Sequence, residues 1–368
     1  TAILKWYNKA KGGVQMGYFL SPGAKLILAG LTAAGYEAYV VGGAVRSMAL
    51  GLPVEDWDIT TTTPPDEILR LFPAARLTGK AYGTVTVQMG AQKYEVTPCR
   101  REEGYADGRH PDKVTFRGPL QEELARRGFT VNAVAYNGRA LVDPYGGLQD
   151  IQNKKIRCVG EAAQRFEEDA LRILRAYRFA AALGFTLEAE TERAALEKSA
   201  ALAKIPSARV RAEVQKTLLS PAPSALSPLV SAGALLPFGI PASAGLPLLD
   251  KVPAAMLLRW WALLCMTGAS ARSVCSSLQF SADFEKDLEA LFTLYGAGPS
   301  QNVKQLKQKL RHGAHLPYGE IAAAFVATLL GIFTGYVILL PFANKLKMLS
   351  KLEVTEKRMI IEGILSMQ

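Results

Sequence analysis

The hydrophobic and polar positions of the N-terminal part of the chain predict strands that alternate with helices. An apolar run at residues 39–41 predicts a buried strand, and the alternating segments 83–89 and 93–99 predict two further strands of one mixed sheet. Helical patterns are found at residues 20–35, which end in a glycine, and at residues 64–72, which begin with a proline. The pattern therefore predicts an α+β fold for this part of the chain.

The chain after this region is predicted to be helical. Residues 166–185 have apolar positions near helical spacing and predict one continuous amphipathic helix that stops at Gly184. Residues 189–219 have a helical pattern as well. Residues 220–253 are rich in Pro, Ala and Ser and predict short helices and turns, and residues 254–310 predict further helices.

An apolar stretch near the C-terminus has two interpretations. Residues 321–343 are 23 residues without a charge, and Gly331 and Gly335 lie four positions apart within them. This length fits a membrane span, and glycines at this spacing are typical of packed membrane helices. Pro341 interrupts the end of the stretch, and the sequence offers no second span. We therefore expect a buried helix of the C-terminal tail, and no membrane association.

The net charge of the chain indicates a type of binding partner. The 368 residues include 43 Lys and Arg against 33 Asp and Glu, which gives a formal net charge of +10. This surplus suits a polyanionic partner, although a generally basic soluble protein has the same balance. The cysteines are scattered without paired spacing, so neither a zinc site nor a disulfide framework is predicted, and a reducing cytosol fits. No signal peptide is recognised, and residues 1–15, before Met16, are expected to be an extension without a role in the fold.

A pair of aspartates is the first candidate for chemistry. The segment 40–62 is predicted as a strand, a glycine turn, a short helix and a second strand around Asp56, Trp57 and Asp58. Residues two apart on a strand share a face, so both carboxylates point one way and Trp57 points towards the core. Two adjacent carboxylates repel each other unless a cation neutralises them. Hard oxygen ligands without a nearby His or Cys select Mg²⁺, with Mn²⁺ as the alternative.

The glycine turn before this pair is suited to phosphate. Gly42 and Gly43 let the backbone approach a ligand closely, and their N–H groups form an anion pocket with the N-terminus of the next helix. A triphosphate with Mg²⁺ fits both features. Alone, an Asp-x-Asp pair is more often a solvated turn or helix cap, and Gly-Gly is more often a plain turn. Glu95 is either a third carboxylate of this site or a surface residue of an edge strand.

The order of these motifs resembles a known family. GG-x-VR, followed in the next predicted strand by D-x-D-x-T, is similar to the signature of the class II tRNA nucleotidyltransferase and bacterial poly(A) polymerase family. The resemblance covers about residues 36–220 and implies a nucleotidyltransferase head. It implies that Asp56 and Asp58 hold the metal, and that Glu95 binds metal or activates the attacking hydroxyl.

The double-arginine segment LARRGFTVNAVAYN is similar to the family's RRDFT-x-N pattern. Arg126 and Arg127 are expected to contact triphosphate, and Asn132 to hydrogen-bond the nucleotide or nearby backbone. Gly128 replaces the aspartate that the family associates with the ribose, and Ser47 replaces the aspartate of VRD. A serine cannot supply a charge-assisted bond to a neighbouring arginine. Both departures put ribose selection and catalytic efficiency in doubt.

A third motif lies in the predicted helix over residues 166–185. Asp169, Arg172 and Arg175 recur three apart, a spacing that ordinarily marks a solvated face with ion pairs. The run E-D-x-x-R is similar, however, to the family's nucleotide-selecting motif. A carboxylate only accepts and a guanidinium only donates, so Asp169 could accept from the amine of cytosine or adenine while Arg172 donates to the ring nitrogen. Uracil and guanine present a carbonyl oxygen to Asp169 and an N–H group to Arg172. Two acceptors and two donors then oppose each other, so these bases are rejected.

Three further segments resemble family elements. Residues 100–116 are polar and rich in Gly and charge, and they are predicted as a mobile loop like the one that switches the family from cytosine to adenine addition. Residues 143–157 match the element D-x3-G-x2-D-x6-R that links the head to the next domain, and they could equally be a Gly-rich hairpin. Residues 205–220 resemble the helix that braces the base-reading helix.

We therefore expect an α+β protein with a nucleotidyltransferase head and an all-helical remainder. The expected domains are an extension at 1–15, the head at 16–160, a neck at 161–222 that selects the nucleotide, a body at 223–316 and a tail at 317–368. The nucleotide-binding residues that the resemblance implies are Gly42, Gly43, Arg46, Arg126, Arg127, Asn132, Asp169, Arg172, Arg175 and Arg178.

The expected activity is the template-independent addition of CMP and AMP to the 3′ end of tRNA in the cytoplasm, from CTP and ATP, with Mg²⁺ as cofactor and pyrophosphate as product. The partners are then tRNA, CTP and ATP, without an obligate protein partner. A poly(A) polymerase, an enzyme that adds only CC or only A, and a non-catalytic RNA-binding relative are the alternatives.

Overall fold

The structure, a computed structural model, describes residues 18–79, 83–103, 113–116, 118–246 and 249–296. Contacts within the chain divide it into two compact units, one up to Asp169 and one from Ala170 onwards. Each unit has buried hydrophobic residues of its own. The sequence prediction placed the end of the head at residue 160, and its division of the remainder into neck, body and tail stays a prediction.

A seven-stranded mixed sheet forms the centre of the first unit. Its strands are β1 (Ala38–Val41), β2 (Trp57–Thr61), β3 (Arg76–Gly79), β4 (Thr84–Met89), β5 (Gln92–Pro98), β8 (Ala135–Tyr136) and β9 (Leu141–Val142), with β6 (Arg100–Glu103) and β7 (Lys113–Phe116) in a separate pair. The order in the sheet is β3-β4-β5-β2-β1-β8-β9. Strands β2 and β5 are parallel, and all other neighbours in this sheet are antiparallel. The predicted mixed sheet is confirmed.

Short helices and one further strand complete the first unit. They are α1 (Pro22–Ala33), α2 (Gly43–Ala49), α3 (Pro65–Leu71), α4 (Leu120–Ala125), a 3₁₀ turn (Thr130–Asn132), α5 (Gly147–Gln152), β10 (Lys155–Ile156) and α6 (Ala162–Glu168). Ser21 caps the N-terminus of helix α1, because its hydroxyl accepts a hydrogen bond from the Ala24 amide at 3.2 Å. Its apolar face buries Ile27 and Leu31 completely, in the same core cluster as Ile59 of β2. Burial of each such side chain stabilises the fold by about 1.5–3 kcal/mol, so the packing of α1 stabilises the central strands.

The prediction of a loop over residues 100–116 is wrong at both ends of the segment. Strands β6 and β7 pair as an antiparallel ladder, from Arg100 opposite Phe116 to Glu103 opposite Lys113. Cross-strand pairing satisfies the backbone groups of this polar segment, which its composition does not reveal. Residues 104–112 lie outside the described part of the chain, and the predicted mobility stays a prediction.

The continuous helix predicted over residues 166–185 is two helices. Helix α6 ends at Glu168, Asp169 has an extended backbone with φ −151° and ψ 100°, and α7 (Leu171–Leu183) follows. Gly184 ends α7 in the left-handed conformation, as predicted. Asp169 therefore precedes α7 instead of belonging to it, and it does not share a helical face with Arg172 and Arg175.

The described part of the second unit is almost entirely helical, as predicted. Its elements are α7, β11 (Thr186–Leu187), α8 (Ala189–Glu197), α9 (Ser207–Leu218), α10 (Ser227–Ser231), α11 (Met256–Thr267), α12 (Ala271–Ser277), α13 (Ala282–Gly296) and 3₁₀ turns at Ser199–Lys204, Pro223–Leu226, Leu236–Phe238 and Leu249–Lys251. Arg259, which is 4% exposed, supports this packing because it donates to the carbonyls of Val252 at 2.6 Å and Leu218 at 2.8 Å.

The apolar stretch 321–343 and the proposed extension 1–15 lie outside the residues that the structure describes. Within the described ranges, no helix has both the length and the apolar character that crossing a membrane requires. The interpretation of residues 321–343 as a buried helix is therefore untested by the structure.

Candidate active site

The two aspartates lie at the start of β2, at the centre of the sheet. In the register of the sheet, Asp58 is opposite Val41 of β1 and beside Glu95 of β5. Trp57 is 5% exposed and packs in the core, as the alternation predicted, while Asp58 is partly buried and Asp56 and Glu95 are exposed. Residues in register on adjacent strands project to the same face of a sheet, so Glu95 shares the face of Asp58.

The surroundings of Asp58 favour a bound cation. Burial raises the pKa of this carboxyl, the charge of Arg127 lowers it in part, and the neighbouring charge of Asp56 raises it again. A partly buried carboxylate beside a second one is stabilised by a hard divalent ion. Mg²⁺ is commonly held by one or two protein carboxylates, with substrate phosphates among its other ligands, so Asp56 and Asp58 fit it. Within the described residues, no group of three or more His, Cys, Asp or Glu side chains is arranged to hold a metal.

The glycine turn lies beside Asp58, because Gly42 follows Val41 directly. Gly42 has φ 70° and ψ −131°, a conformation that only glycine adopts without strain. A Cβ atom at this position would lie 2.6 Å from Nη1 of Arg127 and 3.5 Å from Oδ2 of Asp58. The absence of a side chain at Gly42 therefore lets the arginine approach the carboxylate side of the sheet.

We expect Gly42→Ala to lower the free energy of unfolding by about 1–3 kcal/mol, because the new side chain is strained and collides with Arg127. Gly43→Ala is the matched control, since a Cβ there would meet Nη2 of Arg46 at 3.5 Å, an ordinary contact. The midpoints of urea unfolding of the two variants and the wild type measure this difference. Equal midpoints for both variants would show that the turn is not constrained in this way.

Arg46 and Asn132, both predicted to bind nucleotide, are brought together. Nη1 of Arg46 donates a hydrogen bond to Oδ1 of Asn132. Hydrogen bonds to Asp150 hold the 3₁₀ turn that contains Asn132. Thr130 donates to Oδ2 of Asp150 at 2.5 Å, and Nε of Arg157 donates to the same oxygen at 2.9 Å. This network connects the segment predicted to link the domains with the candidate site.

That segment, residues 143–157, contains helix α5 and is not a simple hairpin. Asp143 caps the helix by accepting from the amides of Gly147 at 2.7 Å and Leu148 at 2.9 Å. Gly147 packs directly on the 3₁₀ turn, since a Cβ there would lie 2.1 Å from the Thr130 carbonyl oxygen. The role of the segment between domains stays a prediction.

The double arginine is held by a residue that the sequence interpretation missed. Glu123 of α4 is 9% exposed and forms ion pairs with Arg126 and, at 3.7 Å, with Arg127. Its positions three and four residues before the arginines are the spacing at which side chains meet on a helix, so the signal was present in the sequence. Glu123 limits the freedom of two guanidinium groups at the edge of the site.

Gly128 has no side chain to offer, and the arginines near Ser47 and Gly128 are bonded to other residues. The Ser47 carbonyl accepts from the Leu52 amide at 2.8 Å, and the Gly128 carbonyl accepts from the Val159 amide at 3.2 Å. Arg46 bonds to Asn132, as described, and Arg126 to Glu123. The arginines are thus positioned even though both family aspartates are replaced.

The remaining predicted residues lie at the division between the units. Asp169 ends the first unit, and Arg172, Arg175 and Arg178 are on α7 of the second. Arg178 donates to Oε2 of Glu213 on α9 at 2.6 Å, and the two side chains are 20% and 12% exposed. This bond joins α7 to α9, the helix whose sequence resembled the bracing element. Contact of Arg178 with nucleotide stays a prediction.

Two family models match parts of the described units. The model described as the Poly A polymerase head domain matches residues 38–157, which include the sheet and both aspartates. The model described as the probable RNA and SrmB-binding site of polymerase A matches residues 184–238. The first unit is thus a head domain of the poly(A) polymerase class.

The relatives are CCA-adding enzymes. The chain is 47% identical to that of Lactiplantibacillus plantarum over 203 residues, which are 55% of this chain and 50% of the relative. It is 41% identical to that of Geobacillus stearothermophilus over 239 residues, which are 63% and 59% of the two chains. The protein therefore spans only about half the length of the curated relatives it matches.

A solved structure agrees over a longer range. The CCA-adding enzyme of Bacillus stearothermophilus in complex with CTP is 30% identical, with a TM-score of 0.68 over 90% of this chain and 82% of that chain. The Thermotoga maritima enzyme complexed with tRNA_CCA is 20% identical, with a TM-score of 0.60, and shows the shared fold. The chain belongs to the family of CCA-adding enzymes and poly(A) polymerases, which is generally metal-dependent.

A third family model matches a different part of the chain. The model described as the MotA/TolQ/ExbB proton channel family matches residues 304–359, which include the apolar stretch 321–343. These residues lie outside the part of the chain that the structure describes, so the match is a similarity in sequence only.

Proposed function

We propose that the protein adds CMP and AMP to the 3′ end of tRNA without a nucleic-acid template, using CTP and ATP and releasing pyrophosphate. The observation that carries the proposal is the register of the sheet, in which Asp58 lies between Val41, before the glycine turn, and Glu95. The names of the relatives support it, because they are CCA-adding enzymes at 41% to 47% identity. We further propose Mg²⁺ as the metal, with Mn²⁺ as a substitute, and a cytoplasmic location.

The carboxylates serve the chemical step in this proposal. Asp56 and Asp58 hold the metal, which when bound would neutralise the triphosphate and lower the pKa of the primer 3′-hydroxyl. We assign to Glu95, on the same face as Asp58, the activation of the attacking hydroxyl. None of these side chains needs to form a covalent bond with the nucleotide, because phosphoryl transfer depends mainly on positioning and charge.

The surrounding donors position the triphosphate. The backbone of Gly42 and Gly43 can approach phosphate oxygens, since neither residue carries a side chain that would intervene. Arg126 and Arg127 supply positive charge at the edge of the site. Asn132, bonded to Arg46, contacts the nucleotide or holds this arginine in position.

Base selection is assigned to Asp169 and Arg172. Asp169 accepts a hydrogen bond from the amine of cytosine or adenine, and Arg172 donates to the ring nitrogen beside it. The extended backbone at Asp169 does not change this logic, because the pairing depends on donors and acceptors and not on a shared helical face. Arg175 and Arg178 are further candidates for nucleotide contact.

Extension of a tRNA that ends at the discriminator base tests the proposal. CTP alone is expected to give two additions, ATP alone none, and both nucleotides together the complete CCA end. An enzyme that adds only CC, one that adds only A, and a poly(A) polymerase each give a different product pattern. Addition of long AMP tracts without CTP would contradict the proposal in favour of poly(A) synthesis.

Because Ser47 and Gly128 replace two aspartates of the family pattern, RNA binding without catalysis is the second candidate function. We expect Ser47→Asp and Gly128→Asp together to raise the rate of incorporation, and Gly128→Asp alone to increase the preference for CTP over dCTP, because a carboxylate can bond an arginine or a ribose hydroxyl. The measurement is kcat/KM for both nucleotides on one tRNA. If neither rate nor preference changes, the replacements are compensated by other residues such as Glu123.

A further inference from the structure

Arg127 occupies the space that the glycine turn leaves open beside Asp58. Its Nη1 atom lies 2.6 Å from the point where a Cβ of Gly42 would stand, and Oδ2 of Asp58 lies 3.5 Å from the same point. The guanidinium and the carboxylate therefore line one small space on the metal-binding face of the sheet.

Arg127 is held loosely on its other side. Its Nη2 lies 3.7 Å from Oε1 of Glu123, longer than the 2.7–2.9 Å typical of a charge-assisted hydrogen bond. Glu123 is shared with Arg126, so two guanidinium charges face one carboxylate there. The buried Nε of Arg127 has no hydrogen-bond partner among the described residues. Asp58 is the other carboxylate beside Arg127, and the two opposite charges attract each other.

The electrostatics of the two groups agree with this placement. Burial lowers the pKa of Arg127, and the charge of Asp58 raises it. Conversely, burial raises the pKa of Asp58, and the charge of Arg127 lowers it. Each group thus helps the other to remain charged despite its loss of water.

We propose that Arg127 is the counter-cation of Asp58 in the metal-free protein, and that a divalent ion at Asp58 displaces it towards the nucleotide. The inference rests on the proposed function, since it takes Asp56 and Asp58 as the metal ligands. Before the ion binds, the guanidinium competes with it for the same carboxylate. After the ion binds, Arg127 is free to pair with the triphosphate, so metal and nucleotide bind with positive coupling.

Binding of Mn²⁺ to the full chain without nucleotide tests the competition directly. Calorimetry is expected to show that Arg127→Gln binds Mn²⁺ about tenfold more tightly than the wild type, because an opposite charge at this range changes such an equilibrium by a factor of about ten or more. Arg76→Gln is the matched control, because Arg76 is an exposed residue of β3 and is not among the charges that shift the pKa of Asp58. Its Mn²⁺ affinity is expected to stay within about twofold of the wild type.

Two further variants separate this inference from the proposed function. Asp58→Asn is expected to abolish the Mn²⁺ signal, which locates the site, and Arg127→Lys, which keeps the charge, is expected to bind Mn²⁺ as the wild type does. Unchanged or weaker binding by Arg127→Gln overturns the inference while leaving the metal site and the proposed activity intact. Equal behaviour of the Gln and Lys variants overturns it as well, and Mn²⁺ binding that survives Asp58→Asn overturns the inference together with the assignment of the metal ligands.

Discussion

Replacement of Asp58 by asparagine is expected to reduce nucleotide addition by about a thousandfold or more, while tRNA binding stays nearly unchanged. The amide has almost the same shape as the carboxylate but lacks its charge, and metal-ion charge stabilisation contributes several kcal/mol to such a transition state. Asp58 projects from the face of the sheet that also carries Glu95 of β5, so we expect its loss to remove a metal ligand and not a contact with the RNA backbone.

The measurements are single-turnover incorporation of CMP and the Kd for tRNA by filter binding. Asp66→Asn is the matched control, because Asp66 is an exposed residue of α3 in the same unit, and this change is expected to leave both quantities within about twofold. Substantial turnover in an Asp56→Asn and Asp58→Asn double variant would show that the metal site lies elsewhere.

The second large effect is expected at Asp169. In Asp169→Asn the position gains a donor, so it can receive O4 of uracil where only an amine was accepted before. One hydrogen-bond reversal at a site that a bound base would bury is worth about 1–3 kcal/mol, so the preference for CTP over UTP should fall by roughly ten- to a hundredfold. The proposed metal ligands are untouched, and total transfer should therefore fall less than in the Asp58 variant.

The ratio of kcat/KM for CTP over that for UTP on one tRNA primer measures this effect. Glu167→Gln is the control, since it removes a charge from the exposed face of α6 two residues away and should leave the ratio unchanged. A constant ratio in Asp169→Asn, with both rates reduced together, would make Asp169 a structural residue at the start of α7 and would contradict the account of base selection.

The central strands could be predicted from the sequence because their burial alternates. Val85, Val87, Tyr94 and Val96 are all about 1% exposed or less, and polar residues between them face the other way. The same alternation placed Trp57 in the core between the two aspartates. Local periodicity therefore sufficed for the sheet and for the burial of Trp57 beside the two aspartates.

The break at Asp169 could not be predicted in this way. Phe166, Ala170 and Leu174 are buried on either side of it, and they are four positions apart each, so helical spacing continues across the break. A single residue with an extended backbone changes the direction of the chain without disturbing that pattern. Periodicity identifies which residues are buried but does not require one continuous helix.

The partners of the site residues depend on tertiary packing to different degrees. Glu123 lies three and four residues before its arginines, so helical spacing alone could have found it. Arg178 and Glu213 are 35 residues apart, and only the packing of α9 on α7 brings them together. The sequence pattern that assigns Arg178 to nucleotide binding therefore gives no indication of its hydrogen bond to Glu213.

The most direct test of the proposed function is the 3′-end sequence of a tRNA that initially ends at the discriminator base, after incubation with the protein, CTP, ATP and Mg²⁺. We expect the product to end in CCA, with no further nucleotides, and to be absent with the Asp58→Asn variant. A tRNA that binds tightly but is recovered without any added nucleotide would contradict the proposal and identify the protein as a non-catalytic RNA-binding relative.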